Sequence, residues 1–160
     1  MDKERIILAD SINSAKSTQI ALNALRFGEA GLNAHRQNLL NRAPVTDSFA
    51  SFPRNSIEVE DLAYLSAHED HEFALLRGKK NDILVHGEHA KVSFDEDLEA
   101  LLLQGKYELV AHSHPDVELT ASKEDRDFLI KIGQKSSMII SWYTGNILKF
   151  YADPFEDLYN

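Results

Sequence analysis

The stretch "VAHSHPDVELTASKED", Val110 to Asp125, sets two histidines one residue apart, then a proline, a serine and an aspartate. The segment "YELVAH" leading into it reads as a strand. On a strand, residues i and i+2 point the same way, so His112 and His114 share a face. Pro115 offers no N–H to a ladder and ends the strand there. "SKEDRDFLIKIGQ" reads as a helix starting at Ser122, with Phe128, Leu129 and Ile132 as its apolar face. Asp125, eleven residues after His114, then falls in the first helical turn and can reach back toward the strand end.

Two imidazole nitrogens and one carboxylate oxygen make a three-ligand set for Zn²⁺, with water in the fourth position, the open arrangement of a catalytic zinc. Such an ion lowers the pKa of its water toward ~7. Ser122 fits two roles, helix N-cap or hydroxyl donor to an oxyanion. The plainer alternatives are a polar strand end with solvent-facing histidines and an aspartate that complements the helix dipole. Hydrolysis also needs a carboxylate to shuttle a proton. Glu69, Glu72 and Glu88 are the upstream candidates. Glu72 is favoured because it opens the apolar run "EFALLRG", where burial raises a carboxyl pKa.

Working outward, "NSIEVEDLAYLSAHED" reads as a helix capped by Asn55, with Glu58 completing a capping box. "EFALLRG" and "NDILVHG" read as a hairpin and "AKVSF" as a third short strand. "DEDLEALLLQGK" reads as a helix stopped by Gly105, and "SSMIISWY" with "NILKFYAD" as a final hairpin. His68, His71, His86 and His89 read as surface residues, with His71 or His86 as candidate cleft linings. Residues 1–43 look helical and polar, and "APVTDSFASFPRN" reads as a linker or extended arm. The expectation is an α/β (α+β) domain over 55–160, a single mixed sheet flanked by helices, preceded by a helical arm and linker over 1–54.

The net charge of −9 and the lack of any Lys/Arg-rich run argue against nucleic acid or an anionic membrane as partner. The chain has no cysteine, which excludes disulfides, thiolate zinc sites and cysteine nucleophiles. No apolar run approaches the ~20 residues of a membrane span. These features lead us to expect a soluble protein, cytoplasmic when made.

The motif H-x-H-P, with seven residues between its second His and a Ser and two more before an Asp, resembles the JAMM (MPN-type) zinc metalloproteases. "DLAYLSAHEDHEFALLRG" is similar to the family's helix and the strand that opens with its glutamate. The resemblance covers about residues 57–152 and is nearest to compact JAMM-like domains of bacterial phage- or toxin-associated proteins. It implies a cytidine-deaminase-like layered fold, zinc on His112, His114 and Asp125, Glu72 as general base and acid, and Ser122 at the oxyanion. It also implies a protein or peptide substrate cut at a peptide or isopeptide bond, often after a ubiquitin-like protein, and it admits export with a toxin or phage particle. The family strand reads roughly Glu-x-x-Gly-x-Leu-x-Gly, and counting back seven from Gly78 lands on His71 rather than Glu72. A one-residue slip turns a side chain to the other face of a strand.

Two other functions remain open from the sequence. One is a non-cleaving binding or scaffold module of the same fold; the other is a zinc hydrolase of a different amide. The N-terminal arm is compatible with docking on the domain, self-association, a remnant of a larger polypeptide, or a segment lying in the cleft.

Overall fold

The computed structural model describes residues 33–156. The helical expectation for residues 1–32 and the tail 157–160 lie outside them. In chain order the elements are α1 (Ala34–Arg42), β1 (Ser48–Pro53), α2 (Val59–Glu69), β2 (Phe73–Gly78), β3 (Asn81–His86), α3 (Glu96–Leu103), β4 (Tyr107–His114), α4 (Lys123–Ile132), β5 (Ser136–Ser141) and β6 (Ile147–Tyr151).

The strands form one six-stranded sheet in the order β1-β3-β2-β4-β5-β6. Neighbours are antiparallel except β4 and β5, which run parallel. A parallel pair requires a crossover, and α4 provides it. The chain is therefore a mixed α/β layer, as the motif order implied. On one face, α2 buries Leu62, Tyr64 and Leu65 against Phe73, Leu75, Leu84 and Ala111. On the other, Leu98 and Leu102 of α3 and Leu129 and Ile132 of α4 cover Ala74, Leu76, Ile83, Val85 and Leu109. Because both faces are covered, "FALL" of β2 is a continuous apolar run rather than an alternation.

Four expectations need correction. Residues 48–53, read within a linker, are strand β1, paired with β3 from Ser48↔His86 to Pro53↔Asn81. An edge strand is held by its ladder and buries little, here mainly Phe52, and its sequence Ser-Phe-Ala-Ser-Phe-Pro sets the two phenylalanines three apart, which carries no period-two signal. Together with α1, whose Leu39 enters the core, it ties the described part of the expected arm into the sheet layer. Helix α2 starts at Val59, not after Asn55, because Asn55 sits at φ 66, whereas an N-cap needs extended backbone. Asp61 instead reaches back to the Glu58 N–H at 2.9 Å and also meets His35 of α1 at 3.0 Å. "AKVSF" forms no ladder strand; β3 already has β1 and β2 on its two edges, so a third consecutive strand has no free edge there. His86 is buried rather than a surface residue, between Pro44 O (2.7 Å) and His71 (2.8 Å).

Candidate metal centre

The site forms where β4 ends and α4 begins. The β2–β4 register runs Leu75↔Ala111 and then Leu76↔Leu109, so Val110 is an extra residue, a β-bulge. The bulge breaks the alternation of β4. Leu109 packs on the α3/α4 face and Ala111 on the α2 face. His112 then returns to the α3/α4 side, edge-on to Phe150. Ser113, between the two histidines, points to the α2 side and is fully buried. Its hydroxyl lies 2.7 Å from Ser66 Oγ of α2 and accepts the Phe73 N–H at 2.8 Å. That bond fastens the histidine pair to the residue next to Glu72.

Helix α4 is capped as its sequence implied. Ser122 Oγ accepts the Asp125 N–H at 3.0 Å, and Asp125 Oδ2 accepts the Ser122 N–H at 2.9 Å. The reciprocal bonds turn the Asp125 carboxylate back toward β4. His112 Nε2 lies 3.1 Å from His114 Nε2 and 3.1 Å from Asp125 Oδ1, and His114 Nε2 lies 3.5 Å from Asp125 Oδ2. Donors about 2.0–2.1 Å from one tetrahedral ion stand about 3.4 Å apart, and these separations bracket that spacing. A single proton on His112 Nε2 satisfies one of its two contacts, whereas a cation at the centre satisfies all three donors. The His112, His114 and Asp125 set can therefore hold a metal ion. Asp116 Oδ2 stands 3.5 Å from His114 Nδ1, on the ring's far side, where a carboxylate orients a ligating imidazole.

Glu72 shares a cavity of about 800 Å³ with all three. Its backbone is pinned on both sides, with its N–H on Glu88 O and its C=O receiving the Gly87 N–H, each at 2.8 Å. His71 instead meets His86 at 2.8 Å, and Glu72, not His71, lines the cavity. Burial, reinforced by the charges of Asp125 and Asp116, pushes the Glu72 carboxyl up to about 8. Burial acts on Asp125 in the same direction, but the His112 bond and charge, the Ser122 N–H and His114 outweigh it and hold that carboxyl at about 2. Burial and the neighbouring His112 lower His114, favouring the neutral, metal-ligating form. The two carboxyls are driven in opposite directions, as in sites that divide acid and base roles between neighbours.

The rest of the cavity wall is largely apolar, with Val92, Phe94, Phe128 and Phe150 in it alongside the charged Lys91, Glu99 and Glu124. Phe94 stacks on Phe128 at 5.0 Å. Of the glutamate candidates, Glu69 and Glu88 do not line the cavity. The contributions of Ser113 and Asp116 were not read from the sequence. For Ser113 the available signal is a hydroxyl between two ligands on a buried strand, since it must find a partner. No helix among the described residues is long and apolar enough to cross a membrane. No family model, curated protein or solved structure matches the chain.

Proposed function

We propose that this chain is a zinc-dependent hydrolase of peptide or isopeptide bonds, with the JAMM (MPN-type) architecture that its motif resembles. The observation that carries the reading is the convergence of His112, His114 and Asp125 beside a buried Glu72 in one cavity. Zinc held by the three donors supplies Lewis acidity and lowers the pKa of water to near neutrality.

The chain's own groups supply the proton traffic. Glu72 is buried and fixed by its backbone, and a cation beside it favours the carboxylate despite the burial. It takes the proton from the attacking water and delivers it to the departing amine. Ser122 Oγ already accepts the Asp125 N–H, which leaves its own O–H free to donate to the carbonyl oxygen as negative charge develops. The Phe94–Phe128 wall suits a polypeptide with apolar side chains better than a small polar amide. A ubiquitin-like or toxin-associated protein is the substrate class favoured by the resemblance.

The test is a panel of peptides, ubiquitin-like fusions and small amides offered to the zinc-loaded chain. Chelator-sensitive cleavage of peptides or fusions is expected. Cleavage that survives Glu72→Gln or His114→Ala refutes the reading.

A further inference from the structure

On its β5 side the bulge in β4 is held by side chains rather than by a strand ladder. The β4–β5 ladder covers only Ala111–His114 against Met138–Ser141. Two residues earlier, the Leu109 N–H donates to Gln134 Oε1 at 2.9 Å, and Gln134 Nε2 donates back to Leu109 O at 2.7 Å. The primary amide thus does what a facing peptide unit does in a ladder, accepting from and donating to the same residue. The second Nε2 hydrogen goes to Ser136 O at 2.7 Å, so every atom of the amide is committed and its orientation is unique. Ser137 Oγ, buried, donates its one O–H to Leu109 O at 2.8 Å, with Val110 O also within reach at 3.3 Å. Gln134 is itself placed by the end of α4, where its N–H bonds Leu129 O beyond the left-handed Gly133.

The position of the bulge decides where the histidines point. With Val110 looped out, Leu109 and His112 share the α3/α4 face; in an unbroken strand an odd and an even residue would lie on opposite faces. A slip that removed the bulge would turn His112 and His114 toward α2 while Leu109 kept its place in the core.

We infer that Gln134 and Ser137 are positioning residues for the metal centre, clamping the Val110 bulge so that His112 and His114 face Asp125 and Glu72. They touch neither metal nor substrate, and they act through the backbone of β4. This rests on the metal reading proposed above.

The test is zinc affinity by chelator competition, well below the melting temperature, together with the melting temperature itself. The variants are Gln134→Ala, Ser137→Ala and Ser137→Thr, with Leu39→Ala as a destabilised control in the opposite core. Gln134→Ala and Ser137→Ala are expected to bind zinc roughly 10- to 100-fold more weakly, the range typical of groups that orient metal ligands. Ser137→Thr keeps the hydroxyl and is expected to recover most of the affinity. Leu39→Ala is expected to lower the melting temperature and leave affinity unchanged. Zinc affinity within twofold of the parent in folded Gln134→Ala and Ser137→Ala overturns the inference and makes the clamp merely structural. If neither variant folds, the clamp is a folding device and the inference also falls. A parent chain that binds no zinc overturns the metal reading itself, and the inference with it.

Discussion

Removing the charge of Glu72 in metal-free protein should change how stability depends on pH. The carboxyl is buried and raised from 4.5 to about 8. Between those values the native state keeps a proton that the unfolded chain has released, so the native state binds more protons. Stability therefore falls as pH rises across the window and levels off above about 8. At about 1.4 kcal/mol per pH unit the loss is at most about 5 kcal/mol, a large share of the roughly 5–15 kcal/mol that stabilises a domain. His114, lowered by burial, works in the opposite direction below its ordinary value of 6.5, because there the unfolded chain binds the extra proton. Asp125, held at about 2, loses its contribution only as pH falls from 3.8 through 2, below the window. Both are present in parent and Glu72→Gln, so the difference between the two proteins isolates Glu72. Urea unfolding with chelator present, from pH 4.5 to 9, measures that difference. Glu72→Gln should match the parent near pH 4.5 and exceed it near pH 8–9, by a midpoint shift on the order of 2 M at the ceiling. With zinc bound, the nearby positive charge should flatten the difference. Parallel pH profiles for the two metal-free proteins would falsify the assignment of Glu72 to a buried site beside Asp125.

Other perturbations read other parts of the structure. Ser113→Ala leaves the buried Phe73 N–H without its acceptor and should cost about 1–3 kcal/mol in chemical unfolding; Ser113→Thr should lose less. Arg77→Ala strands the fully buried Asp82 carboxylate, which Arg77 Nε and Nη2 hold at 2.9 and 3.0 Å, and should cost about 3–5 kcal/mol. A loss below about 1 kcal/mol would mean that Asp82 has another partner. Phe128→Ala opens the apolar wall and should lower kcat/KM about tenfold for substrates with a large apolar residue near the scissile bond, leaving small polar amides unchanged.

The polar centre was legible because its signals are local. His112 and His114 share a strand face through a bulge-free stretch, and Ser122 with Asp125 forms a capping box whose bonds lie within one helical turn. What could not be read depends on partners distant in sequence. β1 exists because β3 offers a ladder edge, and "AKVSF" stays out of the sheet because that same edge is taken. The bulge at Val110 is set by Gln134 and Ser137, some 25 residues on, and no periodicity in "YELVAH" records it. That Glu72 rather than His71 lines the cavity likewise involves a partner distant in sequence, since His71 meets His86.

The most direct test of the central claim is elemental analysis of the purified chain, repeated on His114→Ala and Asp125→Ala. One zinc per parent chain is expected, with loss of the metal in both variants. A folded parent without metal that takes up none when zinc is supplied, or variants that retain it, would contradict the account.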